Sequence, residues 1–183
     1  HFAANLGVEK VAKDHKLTME IESIGMKNIV NASLKYNIKK IIYASTSGIY
    51  GKMAIDKFVN EDFQVSLHAV EQIIELMKNK MSKKASIVII NSIAIKTIVD
   101  DQPQRYHVIR GGLEQLTKYS ATKLGRKGIR VNCVLVTKII KPENKNFFLK
   151  KNNPVRKMME KITPLGRMGD ANDVANLVDF LTS

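Results

Sequence analysis

The chain has 183 residues, a length typical of one α/β domain and too short for two complete ones. With 44% apolar and 26% charged residues, its composition excludes an intrinsically disordered chain. The net charge of +13 leaves nucleic acid, acidic membranes and phosphorylated ligands open as partners. The lysines are spread along the chain and Trp is absent, which favours a generally solvated basic surface over a nucleic-acid interface. The densest basic stretch, Lys138 to Lys161, could equally line the entrance of a phosphate-binding site.

The chain begins with His1 and an apolar HFAA segment, so we expect that it has been cut at its start. Its apolar runs fall short of the ~18 residues that a membrane span needs. Cys133 is the only cysteine, which excludes an intrachain disulfide, and its valine neighbours indicate a buried structural thiol. These features predict a cytoplasmic protein with no membrane partner.

Helix-like and strand-like segments alternate along the chain, a pattern typical of a parallel sheet with helices on its faces. The strands are rich in Ile and Val without strict alternation, as expected for strands buried on both faces. One helix carries apolar residues at spacings of three and four, which predicts a core-facing stripe of Phe63, Leu67, Val70, Ile74 and Met77. The predicted strands are Lys40–Ser45, Ser86–Ser92 and Ile129–Val136, and the predicted helices are Ile21–Tyr36, Asp62–Met81, Tyr106–Leu124, Asn153–Ile162 and Ala171–Leu181.

Turn and cap residues divide these segments. Asp170 is the expected N-cap of the last helix, and Gly125 and Gly128 follow the third helix, where a left-handed turn is expected. The segment 51–60 joins two blocks of sequence. In each block a predicted helix is followed by a predicted strand, and the strand ends in residues with hydroxyl side chains. We therefore predict one partial or composite domain over 1–183, with a junction near 51–60.

Two stretches of sequence carry a family resemblance. Residues 62–183 contain, in this order, SIVIINSIA, YHVIRGGLEQLTKY, GRKGIRVNCV and ITPLGRMGDANDVANLVDFLTS, and they resemble the short, 3-oxoacyl reductase-like branch of the short-chain dehydrogenase/reductase family. Residues 2–51, with IGMKNIVNASLKYNIKKIIYASTSGIYG, look like the extended branch, to which NAD-dependent sugar-nucleotide epimerases and dehydratases belong. The resemblance implies a Rossmann-like three-layer α/β/α fold with a mostly parallel sheet, here without its first nucleotide-binding strands and its last strand.

The resemblance also implies a chemistry, hydride transfer between NAD or NADP and a carbonyl or alcohol carbon of a small-molecule substrate. In the family a Tyr is the general acid or base, and a Lys four residues later lowers its pKa from ~10. Tyr106 matches this Tyr, but Arg110 stands at the Lys position. Arg keeps the positive charge, yet its planar fork is bulkier than an ammonium and does not by itself imply the ribose bonds and proton relay that the family Lys provides. The alternative is that Tyr106 and Arg110 are ordinary residues at a helix start.

Further positions match the family in part. Ser92, at the end of a predicted strand, matches the substrate-orienting Ser, or else it closes the strand into a turn. Ile139 matches an aliphatic position that contacts the cofactor, or else it anchors a loop, and Val136-Thr137 stands where the family has Pro-Gly. Thr46 matches the hydroxyl position of the extended branch, but no Tyr follows it between Gly51 and Arg105, which favours a turn residue.

The sequence departs from the family most clearly at the pyrophosphate site. A glycine-rich turn after the first strand, where backbone amides meet the pyrophosphate, is absent from the sequence. The four His show no metal-ligand spacing, so we expect no metal. Open sheet edges predict self-association. Three hypotheses follow: a degenerate NAD(P)-dependent oxidoreductase, a non-catalytic pseudoenzyme or subunit completed by a partner, and a remnant of a sugar-nucleotide epimerase or dehydratase.

Overall fold

The computed structural model describes residues 15–36, 67–100 and 102–183. Within these ranges two β-strands alternate with α-helices, and a 3₁₀ turn follows each strand region. The elements in chain order are α1 (His15–Lys35), α2 (Ala69–Met77), β1 (Ser86–Ser92), the 3₁₀ turn Ile93–Ile95, α3 (Gln104–Gly125), β2 (Arg130–Val136), the 3₁₀ turn Pro142–Asn144, α4 (Lys145–Phe148), α5 (Pro154–Ile162) and α6 (Ala171–Thr182).

The two strands pair in parallel, from Ser86 opposite Arg130 to Ser92 opposite Val136. Both strands therefore end at the same edge of the sheet, which we call the carboxyl edge, and α3 makes the connection between them. This confirms the Rossmann-like α/β organisation with a parallel sheet. The sequence predicted strands that are buried on both faces. In β1 this prediction fails at Ile90, which is 38% exposed.

The main core lies between the sheet and helices α2 and α3. Leu113 of α3 and Ile129, just before β2, are almost fully buried there. Val70 and Ile74 of the predicted α2 stripe join this core, and Leu67 packs against it, whereas Phe63 lies outside the described residues. A second cluster, which we call the α5 cluster, consists of Phe148, Met159 and Met168 with Ile140 and Val155 packed against it.

The expected caps are present with one adjustment. Asp170 caps α6, because its carboxylate accepts hydrogen bonds from the backbone N–H groups of Asn172 and Asp173. Gly128 adopts the left-handed conformation expected after α3, with φ of 77°. Gly125 is instead the last residue of the helix itself.

The C-terminal end of α6 is fastened at the opposite edge of the sheet, which we call the amino edge. The Ser86 hydroxyl donates a 2.8 Å hydrogen bond to the Leu181 carbonyl. The Arg130 guanidinium donates to the carbonyls of Leu181, at 2.9 Å, and Ser183, at 3.0 Å. The first residue of each strand therefore holds the same helix end. None of the helices described is both long and apolar enough to span a bilayer.

Candidate functional site

Ser92 ends β1 and lies at the carboxyl edge, opposite Val136. Its Oγ accepts a 3.2 Å hydrogen bond from the backbone N–H of Ala94, which caps the 3₁₀ turn that follows. This is the strand-closing role considered for Ser92 from the sequence. Because the oxygen accepts in this bond, the bond does not use the hydroxyl hydrogen, which can still be donated to another oxygen.

Asn91 connects this strand end to helix α3. Its side chain is buried, and its Nδ2 donates a 2.9 Å hydrogen bond to the backbone carbonyl of Arg110. Its Oδ1 accepts a 2.9 Å bond from the N–H of Ser92. One amide thus sets the position of Ser92 relative to Arg110. Sequence reasoning missed this residue, although an Asn within an Ile- and Val-rich strand indicates a buried polar contact.

Tyr106 and Arg110 form a stacked pair in the first two turns of α3. Their spacing of four places both on one side of the helix, where both are buried. The guanidinium carbon of Arg110 lies 4.8 Å from the centroid of the Tyr106 ring, over its face. Arg110 is 4% exposed, and its buried Nε–H has no hydrogen-bond acceptor among the residues that the structure describes. The cation that replaces the family Lys therefore supports the ring of Tyr106 and keeps one unused donor.

Two contacts hold the segment after Ser92 against α3. His107 accepts a 3.0 Å bond at Nε2 from the backbone N–H of Val99, and its Nδ1 lies 3.2 Å from the Pro103 carbonyl. These partners require a neutral imidazole with its hydrogen on Nδ1. On the same helix, Glu114 pairs with Lys118 and Lys96, and hydrogen bonds from these two ammonium groups lower the pKa of Glu114. Sequence reasoning assigned no role to His107 beyond excluding it as a metal ligand.

Ile139 follows β2 by three residues, beyond the same carboxyl edge. Its Cγ2 lies 3.4 Å from the point that a Cβ on Gly169 would occupy, and its carbonyl accepts a 3.1 Å bond from the Asn144 side chain. Ile139 is thus a half-buried loop anchor that packs against the chain before α6. Its contact with a cofactor stays a prediction.

Cys133 lies in β2 beside this site and is half-buried. Burial raises the pKa of the Cys133 thiol, and hydrogen bonds with Asn91 and Thr117 offset this only in part. A thiol that resists ionisation is a poor nucleophile, which agrees with a structural role. Within the part of the chain that the structure describes, no group of three His, Cys, Asp or Glu residues could hold a metal ion.

The residues at the carboxyl edge fit the nicotinamide end of a dinucleotide. The described ranges offer the buried Nε–H of Arg110 no acceptor, and a ribose hydroxyl would supply one. The described residues include no glycine-rich turn between a strand and a helix that would hold the pyrophosphate. The region near Thr46 and the junction near 51–60 lie outside the described residues, and the predictions made for them stay predictions.

Comparison with known proteins finds a family match and relatives over most of this chain. The family model described as Enoyl-(Acyl carrier protein) reductase matches residues 18–183. A tropinone reductase homolog of Arabidopsis thaliana is 30% identical over 146 residues, which cover 76% of this chain and 55% of the relative. L-rhamnose 1-dehydrogenase (NAD(P)(+)) of a Sphingomonas species is 31% identical over 128 residues, 68% of this chain and 49% of the relative. The chain spans about half the length of these curated relatives.

Solved structures support the fold. The promiscuous reductase LugOII, which catalyses keto-reduction at C1 during lugdunomycin biosynthesis, superposes with a TM-score of 0.68 at 20% identity, over 86% of this chain and 64% of its own. A dehydrogenase/reductase from Sinorhizobium meliloti gives a TM-score of 0.65 at 17% identity, over 87% of this chain and 63% of its own. At these identities the likeness concerns the fold alone.

The two sequence resemblances fare differently. The resemblance of residues 2–51 to the extended branch finds no support in these comparisons, and the family match itself begins inside that segment, at residue 18. The resemblance of residues 62–183 to the short-chain dehydrogenase/reductase family is supported by the family match and by the reductase and dehydrogenase relatives. This chain belongs to the short-chain dehydrogenase/reductase family.

Proposed function

We propose that this chain carries the catalytic residues of an NAD(P)-dependent oxidoreductase that acts on a carbonyl or alcohol carbon of a small-molecule substrate. The observation that carries the proposal is the buried pair of Tyr106 and Arg110 at the start of α3, which Asn91 ties to the strand end where Ser92 lies. Acid–base and orienting groups of this kind must share one rigid site to act on the same substrate oxygen.

Each residue has a distinct part in this proposal. Tyr106 exchanges a proton with the substrate oxygen at its phenol hydroxyl, and Ser92 donates its hydroxyl hydrogen to the same oxygen. Arg110 supports the ring of Tyr106 and would bond the nicotinamide ribose through its unused Nε–H. Ile139 would pack against the cofactor at the same edge. The nicotinamide, when bound, supplies or accepts the hydride.

The printed names of two relatives support a hydroxyl-bearing carbon as the reacting group. One is the L-rhamnose 1-dehydrogenase, and another, a mouse (3R)-3-hydroxyacyl-CoA dehydrogenase, is 38% identical over 100 residues, 55% of this chain and 37% of its own. A cytoplasmic location and self-association belong to the same proposal. The single half-buried thiol is compatible with the first, and the open sheet edges expected from the sequence are compatible with the second.

The test is titration calorimetry of the full chain with NAD⁺, NADH, NADP⁺ and NADPH at millimolar concentration, followed by turnover assays with 3-hydroxyacyl thioesters and aldoses. We expect saturable binding of at least one nucleotide. Tyr106→Phe should keep that binding and lose about 100-fold or more in turnover. The matched control is Tyr119→Phe, an exposed tyrosine of the same helix that also carries a cation over its ring. Absence of saturable binding for all four nucleotides would contradict the proposal.

A second candidate is a non-catalytic protein, either a pseudoenzyme or a subunit completed by a partner. The position of the Arg110 guanidinium favours it, because the charge lies over the ring face and is held there by burial. Turnover that disappears in Tyr106→Phe and persists in Tyr119→Phe would rule this candidate out. The epimerase or dehydratase alternative rests on residues 2–51, most of which lie outside the described residues, and it has no support from the comparisons.

A further inference from the structure

Helix α5 and the turn after it present apolar side chains to solvent. Met158 and Ile162 of α5 are 53% and 64% exposed, and Leu165 is 78% exposed. Lys157 and Lys161 are also exposed on this helix. We call these five residues the α5 surface. Single exposed apolar residues are ordinary, but neighbouring ones beside uncompensated charge indicate a binding surface.

The fold holds these side chains outward. The inward side of α5 is occupied by Met159 and Val155, which belong to the α5 cluster. The hydroxyl of Thr163 donates a 2.7 Å bond to the Met159 carbonyl, and Gly166 N–H donates a 2.8 Å bond to the Thr163 carbonyl. This turn places Leu165 at its tip. Val155 and Met159 face the α5 cluster, while Met158 and Ile162 lie on the neighbouring part of the helix surface and stay exposed.

Positive charge dominates the sequence in and before α5. Residues 145–162 contain five Lys and Arg156 against a single carboxylate, Glu160, and Arg156 already pairs with that carboxylate at 2.6 Å. None of the five lysines forms an ion pair with another residue in the described ranges; Lys157 donates instead to the side-chain oxygen of Asn152. These five ammonium groups are Lys145, Lys150, Lys151, Lys157 and Lys161.

Helical geometry sets the lysines beside the apolar groups. At 100° per residue, Met158 and Ile162 lie about 40° apart on the helix, and Lys157 and Lys161 lie next to them on one side. This arrangement suits the interface of a lipid bilayer, because the apolar side chains can enter the acyl boundary while the lysine side chains extend towards the lipid phosphates. Attraction to anionic headgroups adds to the apolar contribution.

We propose that the α5 surface binds peripherally to a membrane that contains anionic phospholipids. A second copy of this chain is a poor occupant, because it would bring like charges together. Nucleic acid offers phosphates but a smaller apolar environment for Met158, Ile162 and Leu165 than the acyl boundary of a bilayer does. Contact of this kind requires no membrane-spanning helix, and it departs from the sequence-based expectation of no membrane partner.

The experiment is co-sedimentation of the full chain with vesicles of phosphatidylcholine alone and of phosphatidylcholine with phosphatidylglycerol. We expect binding only to the anionic vesicles, weakened by salt. Lys157→Gln/Lys161→Gln should weaken binding by about fivefold per lysine. Met158→Ser/Ile162→Ser/Leu165→Ser should weaken it by about tenfold or more.

Two matched variants serve as controls. Lys80→Gln/Lys83→Gln removes two exposed lysines elsewhere, and Ile98→Ser removes an apolar residue of similar exposure, so both should bind like the wild type. Circular dichroism checks that each variant is folded. Equal binding to neutral vesicles, or unchanged binding of the serine variant, would overturn the proposal. Binding of single-stranded poly-deoxythymidine with the same lysine dependence, without vesicle binding, would identify a nucleic-acid surface instead and also overturn it.

Discussion

Arg110 combines burial, positive charge and an unused donor, a combination that opposes stability. No carboxylate in the described part of the chain forms an ion pair with Arg110, and the Tyr106 ring replaces only in part the hydration that this buried cation loses. We expect Arg110→Met, which keeps most of the side-chain volume, to raise the free energy of unfolding by about 1 kcal/mol or more. The same change should abolish nucleotide binding. Urea denaturation and calorimetry measure the two effects.

The surface pair of Lys123 and Tyr119 is a control within the same helix. The Lys123 ammonium lies 5.6 Å from the Tyr119 ring centroid, in an exposed position. Because water hydrates this cation, Lys123→Met should change the free energy of unfolding by less than about 0.5 kcal/mol. If Arg110→Met proves clearly destabilising, the guanidinium is not an uncompensated charge.

Asn91 is the residue on which the mutual position of strand end and helix depends most directly. Asn91→Ala removes the donor to the Arg110 carbonyl and the acceptor of the Ser92 N–H. Loss of these bonds at a buried position should lower the free energy of unfolding by about 1–3 kcal/mol. Asn132→Ala, in the half-buried middle of β2, should cost less. Equal losses in the two variants would show that Asn91 has no special part.

Motif spacing predicts the candidate residues, but not how they are oriented. Tyr106, Arg110 and Ser92 could be named from the sequence because the family pattern marks their positions. The stacking of Arg110 on Tyr106 and the capping bond of Ser92 depend on side-chain rotamers. His107 lies in a helix and Val99 in an irregular segment, so no periodic pattern in the sequence predicts the hydrogen bond between them.

At the scale of the element, the N-terminus of α6 has a measurable pH dependence. The Arg167 guanidinium donates two 2.7 Å bonds to Asp173, and with the Asp170 N–H it holds the pKa of that carboxyl far below its usual range. Because the pKa is depressed in the folded state, the bonds to Asp173 stabilise the fold fully at a pH above the unfolded-state pKa of ~4. It is lost as the pH falls below that value.

Asp173→Asn should therefore lower Tm at neutral pH and differ less and less from the wild type below about pH 4. Differential scanning fluorimetry between neutral and acidic pH measures this convergence. Asp100→Asn, at an exposed carboxylate outside the α6 cap, should show no such trend. A constant difference in Tm at all pH values would mean that the ion pair does not stabilise the cap.

The helices and strands could be predicted best where periodicity or composition was strong. The bounds of β1 match the prediction, and β2 begins one residue later than predicted, at Arg130. The prediction missed α4, because four residues are too few to show a helical period. It began α1 too late, since His15 to Glu20 show no clear apolar stripe.

At the scale of the whole molecule, alternation of helices and strands was enough to predict a parallel sheet, and the register confirms it. Sequence alone could not show which residues fasten the amino edge, because Arg130 and Leu181 are far apart along the chain. Arg130→Met removes two hydrogen bonds to α6 and should lower Tm by about 2–4 °C. Arg126→Met, at the exposed arginine that follows α3, should leave Tm unchanged, and an equal fall in both variants would disprove a specific clamp.

The parallel register has one more consequence. All of the polar groups invoked for chemistry stand where β1 and β2 finish, whereas the bonds that secure the last helix stand where those strands start. Substitutions at Ser86 or Arg130 should therefore alter heat resistance while leaving turnover nearly intact. The thermal stability of such a protein could be raised by substitutions at the amino edge that leave the residues of the carboxyl edge unchanged.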